Sequence, residues 1–353
     1  MTGVSVSTAN IGWFADIGLS DRPTVGGKGG SLGELTRAGI AVPPGFVLRT
    51  AAFERFLQAL EASAPVRALV EALDPDDLDA AAACSKALRA RVEGSPLPDD
   101  LMAEIAAAHA DLCGSDPLSP VAIRSSATTE DAEDASFAGL QDTFLWVMGP
   151  QDALARIRTC WASLYSVESI TYRRKQGIPE DGVAMAVVVQ RMVDARTAGV
   201  MFTRSPTTGD RSVIAIEASW GLGSAVVGGE VTPDRFVVGK ITGEIPVRDI
   251  SLKHIEHLPL PGGGVQEVPV PAERQTQQCV SDEELMELRA VARQVERHYG
   301  RPQDIEWAID RSGRILLLQS RPETVWSTRE AAPAAKPLDN PLEHVMGVFG
   351  GRR

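Results

Sequence analysis

The sequence has little of what covalent or metal cross-links require. Its four cysteines, Cys84, Cys113, Cys160 and Cys279, are far apart and form no Cys-x-x-Cys pair. That spacing argues against a disulfide framework and against a zinc site built from paired thiolates. We therefore expect a protein that folds in a reducing compartment without such cross-links.

Long apolar runs and an excess of basic charge are also missing. The N-terminal MTGVSVSTANIGWF has no basic stretch followed by an apolar run, so no signal peptide is predicted. The longest apolar stretches are too short to cross a bilayer. A net charge of −12 and a pI of about 5.0 argue against nucleic acid or a membrane surface as the main partner. These features predict a cytoplasmic protein, in which any phosphate-binding cations are few and individually placed.

The length and the apolar content allow two sub-domains with a substantial core. The chain has 353 residues, of which 44% are hydrophobic. Apolar spacing predicts helices near residues 30–39, 151–176 and 281–300, a helical layer over 51–114, and a β-rich stretch over 183–240. We expect one lobe over residues 1–188, a second lobe over 189–325, and a linker and tail over 326–353.

The segment DIEWAIDRSGRILLLQSRP (304–322) has the alternation of a β-hairpin with DRSG as its turn. With an even-numbered loop, strand alternation places four polar side chains on one face of the hairpin: Asp304, Glu306, Gln319 and Arg321. Two carboxylates, an amide and a guanidinium suit Mg²⁺ together with a polyphosphate. A surface hairpin with a salt bridge is the alternative.

Lys28 is surrounded by glycines in VGGKGGSLGEL (25–35). Glycines let a backbone approach a ligand closely and turn N–H groups toward phosphate oxygens. The helix that follows would add its N-terminal dipole. The pattern is not a Walker P-loop, and a glycine-rich turn with a solvated lysine is the alternative.

Arg124 stands near the end of an apolar strand, in VAIRSSA. A strand-end arginine that faces a cleft can hold phosphate with its planar fork. The loop that follows, 128–143, is acidic, and only ASFAG (135–139) suits phosphate, through backbone donors. Farther on, GLGSAVVGG (221–229) lacks the third glycine of G-x-G-x-x-G, so a dinucleotide fold is unsupported.

Four segments together resemble a known family. They are VGGKGGSLGEL, VAIRSSATTEDAEDASFAGLQDTF (121–144), VVVQRMVDARTAGVMFTRSP (187–206) and the hairpin. In this order, over roughly residues 10 to 323, the chain resembles the N-terminal nucleotide-binding domain of phosphoenolpyruvate synthase and pyruvate phosphate dikinase, also found in rifamycin phosphotransferases. The resemblance implies an α+β ATP-grasp fold of two lobes, with ATP in the cleft between them.

The resemblance also implies roles for single residues. Three basic residues match groups that hold the phosphates and act in catalysis: Lys28, Arg124 and Arg321. The loop 128–143 matches a lid over the phosphates, with contacts from Ser136, Ala138 and Gly139. Gln190 and Met192 fall in the linker that binds adenine through its backbone, and Glu217 falls near the ribose. Glu306 and Gln319 are the expected Mg²⁺ ligands, with Asp304 close to them or in contact with ATP. Ser224 departs from the acidic residue common in the family.

The expected activity follows from the family's use of a phosphohistidine. None of the five histidines lies in a TSHAA-like motif, and the chain stops about thirty residues after the hairpin. We expect the ATP-binding subunit of a split dikinase, which phosphorylates a histidine on a separate subunit. That subunit then charges a small acceptor, a phenol or alkylphenol as in phenylphosphate synthase, with release of AMP and phosphate. The alternatives are a split phosphoenolpyruvate synthase, a rifamycin phosphotransferase component, or an ATP-sensing regulatory subunit without transfer.

Overall fold

A computed structural model of the protein describes residues 10–63, 65–128, 142–324 and 326. The fold is α+β, as expected, with two antiparallel sheets that each carry an apolar core. The first sheet ends at Arg191 and the second begins at Ala195, so three residues join them. Within the described residues, we find no helix with the length and apolar character of a bilayer span.

The first lobe is a five-stranded sheet with helices packed on it. Its strands run in the spatial order β1-β2-β5-β3-β4, with β1 at Ile11–Trp13, β2 at Gly45–Leu48, β3 at Val121–Ala127, β4 at Thr143–Val147 and β5 at Met185–Arg191. The helices are α1 (Arg22–Arg37), α2 (Thr50–Glu61), α3 (Arg67–Glu71), α4 (Leu78–Gly94), α5 (Asp99–Cys113), α6 (Gly149–Ala162) and α7 (Val167–Lys175). Helices α2 to α5 form the predicted helical layer.

Aromatic packing anchors that layer to the sheet. The Trp161 ring of α6 is fully buried, stacks on Phe56 and meets Phe53 edge-on, both from α2. Its indole N–H donates to the Met185 carbonyl of β5 at 3.2 Å, so the polar atom of this large side chain is satisfied.

Two predicted helices have different limits in the structure. The expected helix 151–176 is two helices, since α6 ends at Ala162 and a short 3₁₀ turn precedes α7. Ser166 begins α7 with an extended backbone, and its hydroxyl accepts from the Ser169 N–H, as an N-cap does. The expected helix 30–39 is the main part of α1 (Arg22–Arg37), whose helical geometry is broken at Gly26, so that its continuous part begins among the glycines and ends at Arg37. Side-chain periodicity alone reveals neither a mid-helix cap nor a helix that starts among glycines.

The second lobe is a six-stranded sheet in the spatial order β13-β12-β6-β7-β8-β9. Its strands are β6 (Ala195–Phe202), β7 (Val213–Trp220), β8 (Asp234–Gly239), β9 (Val247–Asp249), β12 (Gln303–Asp310) and β13 (Ile315–Pro322). A separate two-stranded ribbon joins β10 (Ile255–Pro259) to β11 (Val265–Pro269), and the helices are α8 (Ser224–Val227) and α9 (Asp282–Tyr299).

The two faces of this sheet differ because strand side chains alternate. One face carries apolar residues that pack with Leu285, Leu288 and other buried residues of α9. A capping box, formed by Ser281 and Glu284, fixes the start of α9. With α9 on one side, the polar residues of the central strands face the first lobe.

The predicted hairpin is confirmed as β12 and β13, but its loop is not even-numbered. Beside the turn, Ile309 pairs with Ile315, which leaves the loop residues 310–314. Asp310 accepts backbone N–H bonds from Ser312 and Arg314, which closes the turn. With this odd loop alone, the two carboxylates would face away from the amide and the guanidinium.

A β-bulge restores the predicted arrangement. The register shifts between Glu306 and Trp307, and Leu318 is skipped on the partner strand. A bulge places one extra residue in a strand and so reverses the facing of every side chain beyond it. The polar pairs are then directly opposite one another: Glu306 with Gln319, and Asp304 with Arg321.

The buried imidazole of His109 predicts a pH-dependent stability. Burial lowers its pKa, so the folded protein leaves the ring neutral while the unfolded chain protonates it near pH 6.5. Stability is therefore lost as pH falls below that value. In urea unfolding, His109→Gln should reduce the loss of stability between about pH 7 and pH 5.5, because the glutamine side chain does not titrate in this range. Curves for the variant and the parent that run parallel over this range would contradict the assignment.

A fully buried ion pair gives a second stability prediction. Lys253 Nζ donates to Asp234 Oδ1 at 2.5 Å, and neither side chain is exposed. Lys253→Met would leave the carboxylate buried and unpaired, which lowers the free energy of unfolding by about 3–5 kcal/mol. Lys175→Met is the matched control, because Lys175 is 53% exposed in its pair with Asp76 and should cost less than about 1 kcal/mol. Equal urea midpoints for the two variants would contradict the prediction.

Candidate functional site

A row of side chains crosses the second sheet on the face away from α9. Residues that lie directly opposite one another on neighbouring strands point to the same side of a sheet. The row runs from β13 to β8 through Gln319, Glu306, Val200, Glu217 and Arg235. The sheet therefore brings together three of the predicted binding residues, which are far apart in the sequence.

The glycine-rich segment positions Lys28 at the other side of the cleft. Gly26 has φ 72°, which breaks the helical geometry of α1. A Cβ on Gly26 would lie 2.3 Å from the Ser126 carbonyl oxygen, so only glycine lets α1 approach β3 this closely. The Lys28 ammonium is consequently buried and donates to the Ser125 carbonyl at 3.1 Å.

Arg124 of β3 reaches across to the hairpin of the second lobe. Its Nη1 donates to the Leu318 carbonyl at 2.9 Å, and its Nη2 donates to Gln319 Oε1 at 2.5 Å and to Glu306 Oε2 at 3.0 Å. Leu318 is the residue that the bulge leaves out of register. The third nitrogen, Nε, is buried and has no partner in the part of the chain that the structure describes. The guanidinium thus connects the two lobes, and its Nε–H group has no acceptor among the described residues.

The oxygen atoms of Glu306 and Gln319 suit a hard cation. Both already accept hydrogen bonds from one guanidinium nitrogen, so a positive group lies where the two oxygens converge. A carboxylate and an amide oxygen are ligands that Mg²⁺ accepts, and the ion retains water at its other positions. The residues therefore fit the predicted metal, which would take the place of the guanidinium nitrogen between them.

Arg321 and Asp304 form the next pair along the hairpin. Arg321 Nε and Nη2 each lie 2.8 Å from Asp304 Oδ2. The Arg321 side chain is 65% exposed, whereas Asp304 is largely covered. Burial raises the pKa of Asp304, and the nearby Arg321 guanidinium opposes that shift. The pair thus presents an exposed guanidinium beside the residues of the cleft.

Gln190 and Met192 have specific structural partners. The Gln190 side chain is buried and donates to the Pro43 carbonyl at 3.3 Å. The N–H groups of Arg191 and Met192 donate to the carbonyls of Pro44 and Pro120. A backbone contact with adenine would therefore involve other groups of this segment. The predicted roles of Gln190 and Met192 remain predictions.

A small apolar cluster adjoins the polar row. Met192 and Leu318 pack on it, and its core includes Ala198 and Ala308. Ser219 lies opposite Ala198 on β7, and its buried hydroxyl has no hydrogen-bond partner among the described residues. Small side chains beside an unused hydroxyl make a surface suited to a flat, polar-edged ring. Sequence reasoning missed Ser219, whose only signal was its position two residues after Glu217.

The remaining predicted residues are partly in the row, partly outside it and partly outside the described residues. Glu217 is partly exposed at the centre of the row. The Ser224 hydroxyl points away from the row and lies 2.8 Å from His257 Nδ1. Most of the expected lid, with Ser136, Ala138 and Gly139, lies outside the described residues, and so does nearly all of the tail.

Comparison with known proteins identifies the family. The model of the family described as "Pyruvate phosphate dikinase, AMP/ATP-binding domain" matches residues 22–341. A probable phosphoenolpyruvate synthase of Methanocaldococcus jannaschii is 39% identical over 332 residues, which are 93% of this chain and 28% of that protein. A rifampicin phosphotransferase of Streptomyces sp is 41% identical over 310 residues, 88% of this chain and 35% of that protein.

A solved structure, that of the D-cycloserine synthetase DcsG, is 12% identical with a TM-score of 0.26, and the match covers 63% of this chain and 54% of that one. The chain spans about a third of the length of the two sequence relatives. The family match covers nearly the whole described structure, from α1 through the hairpin. The chain therefore belongs to the pyruvate phosphate dikinase AMP/ATP-binding domain family, and its two sheets form the two-lobed α+β fold that its sequence predicts.

Proposed function

We propose that this chain binds Mg-ATP between its lobes and transfers a phosphoryl or pyrophosphoryl group to a histidine on a separate polypeptide. The observation that carries the proposal is the set of contacts around Arg124. One buried guanidinium from the first lobe meets the carboxylate of Glu306 and the amide of Gln319 from the second lobe. The proposal thus gives Arg124 of the first lobe to the phosphates, and Glu306 and Gln319 of the facing lobe to the metal.

Glu306 and Gln319 would hold the magnesium ion. When bound, Mg²⁺ neutralises charge on the β- and γ-phosphates and fixes their orientation. Arg124 would then direct its fork at phosphate oxygens, since its contacts with the metal ligands would be exchanged. Lys28, buried beside β3, adds a second positive charge on the same wall.

The remaining residues would orient the nucleotide. The apolar cluster around Ala198 and Ala308 offers a surface for adenine, with Met192 and Ser219 at its margin. Glu217, in the same row as the proposed metal ligands, would contact the ribose hydroxyls. Arg321, exposed at the mouth, would meet the group in transit and offset its negative charge.

The histidine acceptor is proposed to lie on another chain, and three of the four histidines that the structure describes have side-chain partners of their own. His298 lies 2.7 Å from Glu34, and the His109 ring nitrogens lie 3.7 Å from Cys113 Sγ. His257 is held by Ser224. We propose that the phosphohistidine then transfers its phosphoryl group to the hydroxyl oxygen of a phenol or an alkylphenol. One water molecule is consumed in the whole reaction, and the products are the aryl phosphate, AMP and phosphate. Pyruvate and a rifamycin are the competing acceptors, in line with the names of the relatives.

Labelled ATP tests the transfer. The purified chain, Mg²⁺ and an extract of the source cells are incubated with ATP labelled at the β- or the γ-phosphate. We expect an acid-labile, base-stable β-label on a second protein, with AMP released. Reconstitution with phenol, pyruvate or a rifamycin then identifies the acceptor. Tight ATP binding without any labelled protein would contradict the transfer and leave an ATP sensor.

Arg321→Ala separates transfer from binding. We expect the labelling rate to fall by roughly 100-fold, because a charge that stabilises the transition state is removed, while ATP affinity changes little. Arg311→Ala is the matched control, since Arg311 is on the same hairpin, is 58% exposed and also pairs with an aspartate, Asp194. Equal labelling rates for the two variants would remove Arg321 from the mechanism.

Glu306→Gln tests the metal site. Replacing the carboxylate by an amide keeps the size but removes the charge that attracts a hard cation. The Mg²⁺ concentration needed for half-maximal ATP binding should rise by about 10-fold or more. Glu283→Gln, an exposed change in α9, should leave it unaltered. An unchanged Mg²⁺ requirement in Glu306→Gln would show that the metal is held elsewhere.

A further inference from the structure

A second group of metal-binding side chains lies away from the Mg-ATP residues. Glu230, His257 and Glu267 each place one ligand atom within 4.8 Å of the other two. They come from different elements: Glu230 follows α8, His257 is on β10, and Glu267 is directly opposite it on β11. The ribbon and the α8 loop thus bring together residues separated by up to 37 positions in the chain.

The imidazole of His257 is oriented by hydrogen bonding. Its Nδ1 lies 2.8 Å from the Ser224 hydroxyl, and its Nε2 lies 3.3 Å from Glu230 Oε2. When Nδ1–H donates to the Ser224 oxygen, the lone pair of Nε2 points into the cluster. Metal-bound histidines are oriented in this way by an outer partner that fixes the tautomer.

We propose that Glu230, His257 and Glu267 bind a divalent transition-metal ion, with Zn²⁺ as the best fit. The 3.3 Å between Nε2 and Oε2 is close to the spacing of two ligands on a tetrahedral ion at about 2.0–2.1 Å from each. One imidazole with two carboxylates favours zinc over the oxygen-only preference of magnesium. The site is therefore separate in chemistry, as well as in position, from Glu306 and Gln319.

The net charge of the three side chains favours a bound cation over a simple ion pair. Two carboxylates converge on one imidazole, so even a protonated His257 leaves an excess of negative charge. Among the described residues, Glu267 forms no salt bridge with a basic side chain. A divalent cation would balance the cluster, whereas a histidine–glutamate pair uses Glu230 alone.

The ion would fix a loop that borders the cleft. The Leu222 N–H donates to the His257 carbonyl at 3.0 Å, and Gly221 forms a bridge with His257. Two residues later, a Cβ on Gly223 would contact Ala198, which is on the cleft face of the sheet. Metal binding at the ribbon would thus stiffen the loop 221–224 without any contact with the phosphate-binding residues.

Zinc titration of the full chain tests the site. After chelator treatment, Zn²⁺ is added in the presence of excess Mg²⁺ and followed by calorimetry, and Co²⁺ is added in parallel and followed by its visible absorption. We expect one bound Zn²⁺. His257→Ala and the isosteric Glu267→Gln should each weaken binding by about 10- to 100-fold, and Ser224→Ala by about 10-fold.

Two controls separate this site from others. His254→Ala removes the neighbouring histidine, and Glu306→Gln removes the magnesium ligand; both should bind Zn²⁺ as the parent does. Amide exchange in residues 255–269 should slow when Zn²⁺ is added. No zinc binding, or equal binding by His257→Ala and the parent, would overturn the proposal. So would a Co²⁺ spectrum with thiolate bands, which would place the ion on a cysteine.

Discussion

The contacts of the Arg124 guanidinium are the interaction on which the cleft depends. A buried charge is stable only when it is paired and hydrogen-bonded, and all the acceptors of this one are on the other lobe: Glu306, Leu318 and Gln319. Together with the contacts of Ser31 with Ser320 and of Ala41 with Leu317, this guanidinium holds the two lobes against each other at the hairpin. Any ligand that enters must satisfy the same guanidinium, so ligand binding and lobe contact use the same groups.

The position of the site follows from the side of the sheet that α9 covers. Strand alternation gives β6, β7 and β12 one face that is buried with α9 and one face that carries Glu217 and Glu306. A polar group on the α9 side would need a partner in the core, as Asp234 has in Lys253. The row of site residues is thus the part of the sheet that can remain polar without such a partner.

Strand alternation predicted the hairpin and the side of it that its four polar residues share, whereas the two-lobed fold was predicted from the resemblance to the family. The predicted even-numbered loop was wrong. The β-bulge at Leu318, which no sequence pattern reveals, compensated for that error. The break at Ser166 and the early start of α1 depend on single capping or glycine contacts, which periodicity does not report. Ser219 was missed because its interest depends on its neighbour Ala198 on the adjacent strand, a pairing that the sequence does not show. The roles of Ser136, Ala138 and Gly139 remain predictions.

The loop 221–229 has a structural role that its sequence motif does not indicate. Its sequence excludes a dinucleotide motif, and Ser224 has no role that the family resemblance explains. In the structure, the Ser224 hydroxyl orients His257, while the backbone of the preceding residues is bonded to the same ribbon strand. The loop is therefore attached to the ribbon through both its backbone and its side chain. Because Leu222 of this loop also belongs to the apolar cluster that contains Ala198, the same few hydrogen bonds join the ribbon to the wall of the cleft.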